Sequence, residues 1–161
     1  TINLFALGAL ASWLRGETGG QPPPQGSRLR APDVVLPALA SEADVTPETW
    51  ALVRRINRFG DTAQPLILAS MYRHLAHAPA FLRHVETALA PVQADGSLDS
   101  AIAANRAAAH EAARRLAQSI SAQRPHLADK IETSVSAFID HAIGKMVTIC
   151  RSIRVARGQP P

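Results

Sequence analysis

The chain of 161 residues is poor in cysteine, lysine and aromatic residues, and it has no long uninterrupted apolar run. Its one cysteine, Cys150, cannot form an internal disulfide, which excludes a disulfide-stapled secreted scaffold and a cysteine-rich zinc module. The apolar stretches are too short, or too interrupted by charge, to span a bilayer. We therefore expect a soluble cytoplasmic protein that does not enter the membrane, with Cys150 buried as a structural residue.

Positive charge exceeds negative charge by a small margin, with 17 Lys and Arg against 13 Asp and Glu and a net charge of +4. Nucleic-acid binding usually needs cations gathered on one face, so that many phosphates are neutralised together. The arginines are instead scattered over several segments, apart from Arg54, Arg55 and Arg58. We therefore do not expect a nucleic-acid partner.

The N-terminal third of the chain divides into an apolar helix and a segment rich in proline and glycine. Leu4, Leu7, Leu10 and Leu14 recur at helical spacing and predict a helix that ends near Gly16. Because this pattern begins abruptly, we expect that a substantial N-terminal part of the parent protein is absent; the alternative is the loss of one or two terminal residues. Residues 17–44 carry too many prolines and glycines for regular structure and are predicted to be a linker.

Residues 45–161 are predicted to form a helical domain. Thr46 as a cap and Pro47 at the first helical position start a helix that runs to about residue 59. Further helices are predicted over 65–77, 79–90, 100–121 and 125–157, the last with a kink at Gly144. No period-two alternation bounded by hairpin turns occurs, so the sequence predicts an all-α fold, a helical bundle without strands.

Common catalytic motifs are absent, including Gly-rich phosphate loops, HExxH, CxxC and Gly-x-Ser-x-Gly. His74 and His77 are spaced to chelate a metal ion, but two further ligands would be needed. We expect hydrogen-bonded histidines and no metal site. Arg73, at the end of an apolar segment, could grip a carboxylate through two parallel bonds; the alternative is a surface arginine.

Carboxylates are the remaining candidates for acid–base chemistry. Asp61 lies on a predicted loop between helices, where a partly desolvated carboxylate could act as a general base. Alternatively, Asp61 caps the next helix. Asp140, His141 and Lys145 lie opposite the apolar stripe of the last helix, and we expect them to be solvated.

Two segments carry a resemblance to a known family. They are MYRHLAHAPAFLRHVETALAPV, residues 71–92, and FIDHAIGKMVTICRSI, residues 138–153. Their apolar skeleton and the order of elements resemble the second repeat of the group I α-haloacid dehalogenases. These all-helical enzymes of two similar repeats remove halide from small 2-haloacids. The resemblance implies that residues 1–16 end the first repeat and that residues 17–44 connect the repeats.

The resemblance also shows where this chain departs from the family. In these dehalogenases a carboxylate on the second repeat activates the water that attacks the halogen-bearing carbon, and Met71 occupies that position. A thioether cannot take a proton from water. The resemblance therefore implies a divergent member in which Ser70, Met71, Tyr72 and Arg73 border the substrate pocket, with Asp61 as a displaced base.

Two functions remain open at this point. The first is binding or hydrolysis of a small carboxylic acid in a pocket between helices 65–77, 101–121 and 126–156, with no cofactor. In this case the chain is a hydrolase or a binding module derived from one. The alternative is a non-catalytic helical assembly module whose partner is the missing N-terminal half or a second copy of the chain in a homo-oligomer such as a dimer.

Overall fold

The computed structural model describes residues 2–17, 35, 37–60, 67–121, 123–156 and 158. Within these ranges every regular element is helical and no strand occurs, which confirms the predicted all-α class. Seven α-helices are described, together with a 3-10 turn over Glu42–Asp44 and a π-helical turn over Ile139–Ile143. The α-helices are α1 (Ile2–Arg15), α2 (Pro47–Asn57), α3 (Ser70–Leu75), α4 (Pro79–Ala94), α5 (Ser97–Ala117), α6 (Ala128–Phe138) and α7 (Gly144–Ala156).

The first two helices follow the local sequence signals. α1 ends where Gly16 takes a positive φ of 74°, a conformation that glycine adopts without steric cost. α2 begins after Thr46, whose hydroxyl oxygen accepts a hydrogen bond from the Thr49 amide at 3.3 Å. This bond satisfies one of the donors that a helix leaves unpaired at its start.

The helix predicted over 65–77 is shorter in the structure, where α3 covers Ser70–Leu75. The reason is a side chain on α2. Asn57 is buried, donates from Nδ2 to the carbonyl of Ile67 at 3.0 Å and accepts at Oδ1 from the amide of Ala69 at 3.0 Å. These bonds satisfy the backbone groups of the segment before α3 in a non-helical conformation.

The C-terminal half also departs from the predicted boundaries. α4 continues through Pro91 to Ala94, and Gly96, with a φ of 77°, follows it. The single helix predicted over 125–157 is α6 and α7 joined by the π-helical turn. The amide of Gly144 donates to the carbonyl of Ile139, five residues earlier, so the predicted irregularity at Gly144 is one wider turn.

The described residues divide into two compact units, and α5 and α7 contribute to both. Unit 1 holds residues 2–17, 102–121 and 123–147, and in it α1 packs against α6 and the π-helical turn. Unit 2 holds residues 35, 37–60, 67–101, 148–156 and 158, and in it α2, α3 and α4 pack against one another. The predicted boundaries at residues 16 and 44, and the assignment of α1 to a preceding repeat, stay predictions.

The two units have different cores. Unit 2 buries large side chains, among them Val53, Ile56, Tyr72, Leu82, Val85 and Leu89. Unit 1 relies more on alanine, and Ala11, Ala113 and Ala117 are almost fully buried. Small residues permit close approach between helices. A Cβ atom added at Gly8 of α1 would lie 2.8 Å from the Cβ of Ala113 on α5, closer than two such atoms can approach.

This contact predicts the effect of adding one methyl group at Gly8. Alanine favours a helix over glycine by about 1 kcal/mol, but overpacking a close contact costs about 1–3 kcal/mol. We expect Gly8→Ala to lower the free energy of unfolding in urea, because the Ala113 methyl group has no rotamer that moves it aside. Combining it with Ala113→Gly should give a smaller loss than the sum of the two single variants, whereas simple additivity would contradict the close contact.

Candidate functional site

A cavity of about 210 Å³ lies within unit 1. Three segments line it, and each presents residues at the spacing of a single helix face. α1 provides positions 4, 8, 11 and 15; α5 provides 106, 109 and 110; α6 and the π-helical turn provide 136, 139 and 140. The apolar lining residues are Leu4, Gly8, Ala11, Ala109 and Ile139, and the polar ones are Arg15, Arg106, His110, Ser136 and Asp140.

Arg106 is positioned by the glycine that begins α7. A Cβ atom added at Gly144 would lie 3.0 Å from Nε of Arg106 and 2.7 Å from the carbonyl oxygen of Ile139. Position 144 therefore has room for the arginine against the helix backbone because it carries no side chain. The π-helical turn ends at this point, and such turns are frequent at functional sites.

The guanidinium group of Arg106 has no partner among the described residues. Its Nε is buried from solvent and forms no hydrogen bond, and the residue forms no ion pair within those ranges. A buried polar group without a partner costs free energy, and a charged one costs more. Such a group beside a cavity is available to a ligand.

Arg15, in contrast, is fully engaged. Its Nη1 donates to Oε1 of Glu132 at 2.7 Å and to Oγ of Ser136 at 3.0 Å, and its Nε lies 3.2 Å from Oε2 of Glu17. Ser136 in turn donates to Oε1 of Glu132 at 2.6 Å. Two carboxylates therefore outweigh the single positive charge of Arg15, which leaves it little attraction for a further anion.

The remaining ionisable groups of the cavity are His110 and Asp140. Nε2 of His110 lies 3.5 Å from Oε2 of Glu17, within ion-pair distance when the imidazole is protonated. Asp140 is exposed and lines the cavity, so it lies at the solvent side. Within the described ranges Asp140 forms neither a hydrogen bond nor an ion pair. One cation and one anion of the lining, Arg106 and Asp140, are therefore uncommitted.

The predicted substrate-binding residues lie elsewhere, on α3 in unit 2. Ser70 is exposed, Met71 half-buried and Tyr72 fully buried. The hydroxyl of Tyr72 has no hydrogen-bond partner among the described residues, and burial raises its pKa far above the usual value. Arg73 donates from Nε to the carbonyl of Ala40 at 2.7 Å and from Nη2 to the carbonyl of Leu39 at 3.3 Å, so it holds the preceding segment of the chain.

The predicted catalytic residue Asp61 lies outside the described residues, as do its neighbours up to position 66. Nε2 of His77 lies 2.8 Å from the carbonyl of Ala38. Nδ1 of His74 is buried without a hydrogen-bond partner in the described part of the chain. No group of three or more potential metal ligands occurs within the described ranges.

Two predictions about burial were wrong. Cys150 is exposed rather than buried, and its thiol donates to the Met71 sulfur at 3.3 Å. Lys145 is fully buried instead of solvated. The wider π-helical turn, which lies between residue 138 and Lys145, shifts the faces of the helix that follows, and a strict 3.6-residue period cannot anticipate this shift.

Sequence reasoning missed the cavity residues, above all Arg106. The signal was present in AANRAAAH, residues 103–110, where one arginine and one histidine stand four residues apart among alanines. A polar residue in an alanine-rich helix is read as a solvated one when the contacts of that helix are unknown. The pocket was predicted between segments 65–77, 101–121 and 126–156. The observed cavity is lined by residues of the last two segments and by α1, and no described residue of segment 65–77 lines it.

No protein-family model, curated protein or solved structure matches this chain. Among the described residues, no helix combines the length and the apolar character that a membrane crossing requires.

The Arg15 cluster predicts a pH dependence. Hydrogen bonds from Ser136 and Arg15 lower the pKa of Glu132 below the usual value of 4.5. A lowered pKa in the folded state gives stability that is fully present above the unfolded pKa and is lost as the pH falls through the folded one. We expect Glu132→Gln to lose less stability than the unchanged protein between pH 6 and pH 3, by up to about 1 kcal/mol.

Urea unfolding at both pH values measures this difference. Ser136→Ala should change the pH dependence in the same direction by a smaller amount, because Arg15 still contacts Glu132 in that variant. Identical pH dependence in Glu132→Gln and the unchanged protein would show that the cluster contributes nothing to folding.

Proposed function

We propose that this chain binds a small carboxylic acid in the cavity of unit 1, with Arg106 as the group that holds the carboxylate. The observation that carries the proposal is the buried Nε of Arg106, which has no partner among the described residues and belongs to a side chain that lines the cavity. A guanidinium group and a carboxylate form two parallel charge-assisted hydrogen bonds. The ligand would satisfy a group that the described residues leave unsatisfied.

The size and the walls of the cavity define the rest of the ligand. A volume of about 210 Å³ is below the usual range of drug-sized pockets, about 300–1,000 Å³. Leu4, Ala109 and Ile139 supply apolar walls that favour a short aliphatic chain in the part of the ligand that contacts them. A carboxylic acid of about five carbon atoms meets both requirements, and 3-methylbutyrate is a suitable probe.

We propose binding rather than hydrolysis. Hydrolysis needs a base that activates water. The resemblance to the haloacid dehalogenases assigns that base to the position of Met71, whose thioether cannot accept the proton. We accordingly expect no halide release from 2-chloropropionate, and steady release that Arg106→Met abolishes would replace the binding proposal with a hydrolytic one.

Arg106→Met tests the proposal by two opposite effects. Methionine keeps the apolar stem of the side chain and removes the charge. We expect the affinity for 3-methylbutyrate, measured by calorimetry, to fall at least about tenfold, because a hydrogen bond to a charged group contributes roughly 1.5–3 kcal/mol. Without ligand, the variant should be more stable to urea by about 1 kcal/mol, because it no longer buries an unpaired charged group.

Arg115→Met is the matched control. Arg115 lies on the same helix, is exposed and does not line the cavity, so this variant should keep the affinity of the unchanged protein. The proposal fails if the unchanged protein does not bind 3-methylbutyrate, or if Arg106→Met binds it equally well.

A second candidate function is assembly, and a specific surface favours it. Leu127, Ile131 and Phe138 are 47%, 38% and 45% exposed; Leu127 caps the start of α6, and the spacing of four and seven residues aligns the three along one side of the helix. We refer to these three residues as the α6 stripe. Two copies of the chain can bury this stripe against each other across a twofold axis, since such an interface uses the same patch on both copies. The partner in this function is a second copy of the chain.

Phe138→Ser tests the assembly function. If the α6 stripe joins two copies, the unchanged chain sediments as a dimer and the variant as a monomer, with a dissociation constant raised at least about tenfold. Val155→Ser is the control, because Val155 is 52% exposed but lies outside the stripe. A monomer at every concentration of the unchanged chain excludes the assembly function.

A further inference from the structure

Two opposite charges that have no partner in the described part of the chain face the same cavity. Arg106 supplies a buried guanidinium Nε, and Asp140 supplies an exposed carboxylate at the solvent side. We propose that the ligand is a zwitterion, an aliphatic 2-amino acid whose carboxylate pairs with Arg106 and whose ammonium group pairs with Asp140. This inference rests on the proposed function, carboxylate binding at Arg106, and adds the class of the ligand.

The two side chains are neighbours that do not neutralise each other. Arg106 lies against Gly144, and Asp140 precedes that glycine by four residues, about one helical turn. Yet no ion pair joins them, so their charged atoms are more than 4.0 Å apart. A direct ion pair between Arg106 and Asp140 would have left neither group available to a ligand. The gap instead leaves room for a molecule that carries both complementary charges.

The groups without a partner among the described residues favour a ligand that carries both charges. Glu17 and Glu132 more than neutralise Arg15, and Glu17 also faces His110. The lining charges that have no partner within the described ranges are then one positive, Arg106, and one negative, Asp140. A simple carboxylate would satisfy Arg106 but would be repelled by Asp140, and a simple amine would have the reverse difficulty. A zwitterion satisfies both groups, and its two charges, one carbon atom apart, suit neighbouring side chains.

The apolar walls account for the remainder of the molecule. Leu4 and Ala11 on α1 and Ala109 on α5 surround the polar groups, and together with Ile139 they leave a small apolar volume. A short branched side chain fills such a space and gains hydrophobic free energy without any further polar partner. L-valine is the probe that combines these features with the size of 3-methylbutyrate, which has the same carbon skeleton without the amine.

The experiment compares three ligands by calorimetry on the full chain: L-valine, 3-methylbutyrate and 2-methylpropylamine, which lacks the carboxylate. We expect L-valine to bind about two- to fivefold more tightly than 3-methylbutyrate, the upper part of the range of an exposed ion pair, and the amine to bind most weakly. Asp140→Asn should weaken L-valine binding by about the same factor and leave 3-methylbutyrate unchanged or slightly tighter. Asp129→Asn, an exposed carboxylate of the same unit that pairs with Arg124, should change neither affinity.

The outcomes separate this inference from the proposed function. Equal binding of L-valine and 3-methylbutyrate, unaffected by Asp140→Asn, would overturn the zwitterion and leave carboxylate binding intact. Failure of both acids to bind would overturn both proposals. L-valine binding that Arg106→Met does not weaken would place the ligand outside this cavity and also overturn both.

Discussion

Arg106 lies against the backbone of a helix because position 144 has no side chain, and this contact positions a charged side chain beside the cavity of unit 1. A residue with a Cβ at 144 would push the arginine away, and it would also meet the carbonyl of Ile139 that accepts the Gly144 amide. The same glycine therefore permits both the π-helical turn and the close packing of Arg106 against the helix. A second small residue, Gly8, keeps α1 close to α5 in the same unit.

The position of Arg106 has an energetic cost, because its buried Nε forms no hydrogen bond among the described residues. A buried guanidinium nitrogen without a partner destabilises the folded state, whereas the neighbouring Arg15 contacts two carboxylates and a hydroxyl. Local departures from good pairing are expected at sites where a ligand completes the interactions. Among the described residues one of these two arginines is satisfied and the other is not, and this contrast supports the proposal that Arg106 binds a ligand.

The sequence predicted the fold class and the helices whose ends depend on local chemistry. Gly16 and the Thr46 cap act on their own segment, so α1 and α2 begin and end where the pattern indicates. α3 was predicted too long because its start depends on Asn57, a residue 13 positions before Ser70 that binds the intervening backbone. Long-range side-chain bonds of this kind leave no local signal.

The site was harder to predict for the same reason. Arg73 follows an apolar segment, as an anion-binding arginine can, yet its guanidinium donates to the carbonyls of Ala40 and Leu39, more than 30 residues earlier. The sequence neighbours of Arg106 are those of a solvated residue. In the fold, however, its buried Nε packs against Gly144, which lies 38 residues later. The identity of an arginine does not reveal which partners the fold brings to it.

A crystal structure of the chain grown with L-valine is the most direct test of whether Arg106 is held free for a ligand. We expect the amino acid in the cavity of unit 1, with its carboxylate oxygens about 2.8 Å from the guanidinium nitrogens of Arg106. An Arg106 paired with a carboxylate of its own chain, or a cavity that stays without L-valine at saturating concentration, would contradict this account.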